Sequence, residues 1–140
     1  MIRFFGGRVM ALANGIETQD IEVWTEGSKI VFVGKPKAEE LDGKVFEREY
    51  DLKGNLLMPS FKNAHTHSAM TFLRSYADDM PLQDWLFKQI FPMEAKLDGE
   101  KVYWLTKLAI LEYLTTGCTA AFDMYFELDD YVKACTESGF

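Results

Sequence analysis

Histidine and cysteine are scarce in this chain, with two of each among 140 residues. Cys118 and Cys135 stand far apart without Cys or His neighbours, so neither a disulfide framework nor a cysteine zinc site can be assembled from them. They are expected to pack as buried thiols in a reducing cytoplasm rather than to act as ligands or nucleophiles. Basic charge is short as well. The 15 Lys and Arg residues against 22 Asp and Glu leave a formal charge of -7 and form no long run, which argues against nucleic acid as a partner. No stretch is long and apolar enough for a membrane span, and no charged n-region followed by an apolar h-region opens the chain. Internal repeats and low-complexity tracts are missing too. What is present is apolar: 48% hydrophobic and 14% aromatic residues suit a packed globular domain.

The pattern divides in two. Residues 1 to 55 read as a β-rich segment, with strands over Ile2 to Leu12, Ile21 to Thr25, Lys29 to Val33 and Val45 to Leu52. Alternation in Ile21-Glu-Val-Trp-Thr25 and the Glu26-Gly27-Ser28 turn fit short antiparallel strands with one covered face, hence a small sheet or sandwich. From residue 56 the signals are those of βα units. Leu56-Leu57-Met58 reads as a short buried strand, followed by Pro59 and a functional loop. A helix begins near Ser68 and breaks at Asp78-Asp79-Met80-Pro81, where the two carboxylates suit a turn better than an acid dyad. A second helix runs from Pro81 to about Phe91, with Pro92 ending it. Asp98 is placed to cap a longer helix through about Thr116, with Gly117 at its C-terminal turn. Leu105, Leu108, Ala109, Leu111 and Leu114 give that helix its apolar face. A strand over Cys118 to Tyr125 and a helix from about Glu127 to Ser138 complete an order typical of parallel sheets, with ligands expected at the strands' carboxyl ends.

Both histidines fall at that position, in Asn63-Ala-His65-Thr-His67. Residues i and i+2 of a strand share a face, so the two imidazoles would project together as ligands of one metal must. A divalent ion held by imidazoles acts as a Lewis acid and lowers the pKa of its water toward ~7, which makes hydrolysis the natural consequence. Two ligands do not complete a site, and the competing reading is a pair of loop histidines bonded to backbone.

The residues from Leu57 to Asp79, centred on Asn63-Ala-His-Thr-His67, resemble the first barrel strand and following segment of the amidohydrolase superfamily, in its cytosine deaminase and chlorohydrolase-like branch. Pro81-Leu-Gln-Asp-Trp-Leu86, Ile90-Phe-Pro-Met-Glu-Ala-Lys96 and Thr116-Gly-Cys-Thr-Ala-Ala-Phe-Asp-Met-Tyr125 extend the likeness toward the 5′-methylthioadenosine/S-adenosylhomocysteine deaminases. Ser60-Phe61-Lys62 departs from the family's usual glycine-containing spacer. The resemblance implies an α/β fold: the N-terminal portion of a metal-dependent hydrolase (β/α)8 TIM barrel preceded by a β-sandwich segment. It implies zinc, or another divalent ion such as Fe, Mn or Ni, bound first by His65 and His67. Glu94 matches a glutamate that accepts hydrogen bonds from ribose hydroxyls, and Trp85 an aromatic lining the same pocket. The alternatives are a solvated helix-end charge for Glu94 and core packing for Trp85. Asp123 is expected to bond structurally rather than to ligate. The family's remaining metal ligands and proton-shuttling groups find no counterpart here, so no catalytic residue is assigned within the chain.

A (β/α)8 barrel typically takes ~250 residues, which leads to the expectation that the chain is the N-terminal piece of a longer enzyme and inactive alone. The function implied for the parent is deamination of an adenosine-like nucleoside, a small-molecule substrate, by a cytoplasmic enzyme that binds neither nucleic acid nor membrane. Guanine deamination and chlorohydrolysis are the alternatives within the superfamily. A noncatalytic assembly module, with homo-oligomer formation through exposed apolar surface, is the alternative outside it. A cupin-like metal barrel fits poorly, because the segments after His67 read as helical.

Overall fold

Gly6 and Gly7 interrupt the first apolar run. A Cβ on Gly6, which has φ +69°, would fall 2.2 Å from Asp51 Oδ1, and one on Gly7 would fall 2.4 Å from the Asn55 carbonyl oxygen. The computed structural model describes residues 1–11 and 16–140. In it the run splits into β1 (Ile2–Phe5) and β2 (Arg8–Ala11), which enter different sheets; Leu12 of the expected strand lies outside the described residues. After β3 (Glu17–Gln19), β4 (Glu22–Glu26) and β5 (Lys29–Gly34) come a short helix α1 (Ala38–Leu41), β6 (Arg48–Asp51) and β7 (Leu56–Leu57). One sheet has the order β5-β4-β1-β6 and the other β3-β2-β7. In each, the antiparallel pairing of the early strands gives way to a parallel pairing, β1 with β6 and β2 with β7. Trp24, 3% exposed, is the centre of the first sheet's packing and stacks on Phe32 with ring centroids 4.1 Å apart.

The chain divides into two compact units, Met1–Pro59 and Ser60–Phe140. This division falls past the composition change at Asn55, because Leu56–Leu57 pairs with Arg8–Val9 in the first unit. The apolar run is therefore not the strand that carries the histidines. That strand is β8 (Phe61–Thr66), which pairs in parallel with β9 (Cys118–Asp123).

Between these strands lie a 3-10 helix (Ser68–Leu73), α2 (Leu82–Trp85), a π-helical stretch (Leu86–Ile90), α3 (Phe91–Glu94) and α4 (Gly99–Thr115); α5 (Leu128–Ser138) follows β9. Asp98 caps α4 by accepting the Lys101 N–H at 2.9 Å, and Gly117 follows the helix with φ +83°. The buried face of α4 is Val102, Thr106, Ala109 and Ile110, turned toward the 3-10 helix and α5, while Leu108, Leu111 and Leu114 are exposed. The expected leucine face is thus not the packed one. The helix is apolar nearly all round, and the smaller, β-branched side allows the closer approach of its neighbours. Cys118 is buried and Cys135 half-buried, both as free thiols, and burial pushes the Cys135 thiol up.

Ile110 is 2% exposed. Ile110→Ala is expected to cost about 2–5 kcal/mol by transfer and cavity terms, read as a lowered denaturant midpoint at unchanged m-value. A loss below ~1 kcal/mol would show that this face is not the core of the unit.

Candidate metal and ligand site

The parallel pairing of β8 and β9 brings two carboxyl ends together, with Thr66 opposite Asp123. His65 lies near the end of β8, and His67 follows the strand as the N-cap of the 3-10 helix. Their ring centroids are 5.2 Å apart with an interplanar angle of 80°. The Met124 N–H donates to the Thr66 carbonyl at 3.2 Å, and His67 Nδ1 lies 2.7 Å from the Met124 carbonyl oxygen. A carbonyl can only accept, so the neutral ring carries its proton on Nδ1 and keeps the Nε2 lone pair free. A backbone carbonyl on the other ring nitrogen is how proteins commonly fix the orientation of a metal-binding histidine. Asn63 Oδ1 accepts the His65 N–H at 3.2 Å, and the Asp123 carboxylate accepts the Ser68 N–H at 3.1 Å. Asp123 is thus engaged with backbone.

The two imidazoles fit a divalent ion as two adjacent donors. Among the described residues no group of three or more His, Cys, Asp and Glu side chains is placed to hold one, so the pair by itself does not make a complete metal site.

His67, Trp85 and Glu94 line one cavity of about 380 Å³, walled by apolar side chains including Met70, Ile90, Met124 and Phe126. His65 is not among its lining residues. Trp85 and Glu94 are nine residues apart, about two and a half turns of a regular α-helix, which would put them on opposite faces. The π-helical stretch between them, closed by the Phe91 N–H donating to the Leu86 carbonyl, takes more residues per turn and brings both to the same cavity. Pro92 accounts for its position. Having no N–H, Pro92 cannot bond the Lys88 carbonyl, and its ring would crowd that group in a regular helix. The helix therefore widens before Pro92 and runs on to Glu94, rather than ending at Phe91 as the sequence suggests.

Sequence reasoning missed Tyr125, also in this cavity, although it is the last residue of the strand expected over Cys118 to Tyr125, where ligand-facing groups gather. Its hydroxyl is buried and makes no hydrogen bond of good geometry among the described residues. Burial pushes its phenol well above the ordinary range, and the negative charges of Glu94 and Asp123 add to the effect.

A mixed α/β chain with polar side chains gathered at the carboxyl ends of parallel strands has the layout of an α/β enzyme domain. The chain belongs to the amidohydrolase family, whose model matches residues 56–139. It is 45% identical over 121 residues to a 5-methylthioadenosine/S-adenosylhomocysteine deaminase of Pelotomaculum thermopropionicum, covering 86% of this chain and 28% of that protein. Over 89 residues it is 56% identical to a 5'-deoxyadenosine deaminase of Methanospirillum hungatei, covering 64% of this chain and 20% of that protein. The crystal structure of an adenosine deaminase from Xanthomonas campestris with bound zinc superimposes with a TM-score of 0.91 at 33% identity, covering 99% of this chain and 32% of that one. The chain spans about a quarter of the length of the curated relatives it matches. Among the described residues, no helix is long and apolar enough to cross a membrane.

Tyr125 and Tyr131 are both held protonated beyond the usual phenol range, chiefly by burial. The unfolded chain releases these protons near pH ~10. Above that pH the unfolded state therefore binds fewer protons than the native one, and stability falls as pH rises. Tyr125→Phe is expected to make this alkaline decline shallower in denaturant titrations between pH 9 and 11, whereas an unchanged slope would place the Tyr125 phenol in water.

Proposed function

We propose that this chain contributes the first metal ligands and part of the substrate pocket of a metal-dependent aminohydrolase acting on an adenosine-like nucleoside. In this reading β8 and β9 are the opening strands of a (β/α)8 barrel, and the two sheets of the first unit belong to a β-sandwich. The observation that carries it is the joining of His67, Trp85 and Glu94 in one apolar cavity.

His65 and His67 would hold the ion, which zinc fits by donor type, although Fe, Mn and Ni also accept imidazole. The ion supplies Lewis acidity and an activated water at neutral pH. The chain's own residues do the rest of what can be assigned here. The Met124 carbonyl keeps the His67 proton on Nδ1 and so aims Nε2 outward. Glu94 offers two acceptor oxygens, which suits a vicinal diol such as that of ribose. Trp85 provides a flat apolar face for a purine or a thioether. The cavity is otherwise apolar, so water is excluded from the bound nucleoside's edges while the carboxylate fixes its sugar. In the net reaction water replaces the amino group at C6 of the purine and ammonia leaves. The relatives' names support an adenosine-type substrate with a 5′ hydrogen, methylthio or homocysteinyl group.

Ammonia release by the full-length protein from 5′-methylthioadenosine, S-adenosylhomocysteine and 5′-deoxyadenosine tests this. His65→Ala or His67→Ala is expected to lower activity by more than the 10–100-fold typical of losing an outer-shell partner, with loss of bound metal. Glu94→Gln is expected to raise KM for nucleosides carrying the 2′,3′-diol and to have little effect on an analogue without it. A metal-loaded protein inert toward all three nucleosides would contradict the reading.

A further inference from the structure

The histidine pair alternates with hydroxyl side chains that meet a single atom. Successive strand residues point to opposite faces, which turns Thr66 away from His65 and His67 and toward α4. Tyr113 Oη, on α4, lies 2.5 Å from Thr66 Oγ1 and 3.0 Å from Ser68 Oγ. A phenol has one proton to donate and lone pairs to accept with, so it can complete both bonds at once. Ser68 is only 3% exposed, which leaves its hydroxyl without water as a substitute partner. Its N–H is already taken by the Asp123 carboxylate.

The phenol is itself held. Its ring stacks on Phe140, with centroids 5.4 Å apart. The next residue back, Glu112, forms an ion pair with Arg74 at the other end of the 3-10 helix. The same turn of α4 therefore fixes both ends of the short helix that His67 caps. His67 lies between the two hydroxyl-bearing residues, so the backbone on either side of it is tied to Tyr113.

We propose that Tyr113 is a positioning residue for the histidine pair: by bonding Thr66 and Ser68 it sets the backbone at His67 so that the ring is presented beside His65 for a metal. The inference rests on the metal reading above. Tyr113→Phe keeps the aromatic stack and removes only the hydroxyl. In the full-length protein, with Co(II) as the probe, chelator competition reads affinity and the visible spectrum reads ligand geometry. Tyr113→Phe is expected to weaken Co(II) binding ~10-fold or more, the scale of lost outer-shell support, and to alter the spectrum. Thr66→Val is expected to shift both readouts in the same direction, and the double variant to be no worse than Tyr113→Phe, since Thr66→Val removes one of the two bonds that Tyr113→Phe removes. A lowered Tm with unchanged affinity and spectrum would overturn the proposal by reducing Tyr113 to packing. Co(II) binding that persists in both His65→Ala and His67→Ala at wild-type affinity would instead overturn the metal reading, and this inference with it.

Discussion

The arrangement of the site depends on the junction between the carboxyl ends of two parallel strands. Met124, the residue after β9, gives its N–H to Thr66 and takes the Nδ1 proton of His67 on its carbonyl. One residue thereby fixes both the strand register beside the histidines and the orientation of a ring. A typical hydrogen bond contributes about 1 kcal/mol net, so orientation here comes from several acting together: the Met124 pair, the Asp123 bond to Ser68 and the Tyr113 bonds to Thr66 and Ser68. All hold residues 66–68 rather than His65. His65 is held by its strand and by the Asn63 side chain, and is correspondingly more exposed.

The ligand cavity depends on a second constraint, the widened helix turn ahead of Pro92. Without it Trp85 and Glu94 would diverge. With it, the cavity has one carboxylate in an otherwise apolar wall, and a neighbouring phenol that keeps its proton. A carboxylate surrounded by apolar groups gains most from a ligand that brings hydrogen-bond donors to it. In the proposed function, that lining suits a molecule that joins a flat apolar body to a pair of hydroxyls.

Much of this was legible in the sequence because local signals carried it. Asp98 and Gly117 mark the ends of α4 through capping chemistry that needs no tertiary partner, and the His-x-His spacing at a strand end brings two imidazoles near each other, although His67 itself lies just past the strand. The Glu26-Gly27-Ser28 turn likewise marks the hairpin between β4 and β5. What escaped depended on contacts distant in sequence. Leu56–Leu57 reads as the strand leading to the histidines, and only its pairing with Arg8–Val9 puts it in another sheet. The packed face of α4 could not be chosen from a helix that is apolar nearly all round. Pro92 reads as a stop, because a sequence pattern does not reveal that a π turn can absorb a proline. Tyr113 carried no signal at all: its bonds are to two hydroxyls some 45 residues away in the chain.

The central claim is that His65 and His67 bind one metal, with His67 using Nε2 while Nδ1 stays bonded to the Met124 carbonyl. A crystal structure of the full-length protein with anomalous scattering measured at the metal's absorption edge tests it most directly. The account predicts a single peak within bonding distance of Nε2 of His67 and of the His65 ring, with the Met124 contact kept. A peak elsewhere, or coordination through Nδ1 of His67, would contradict it.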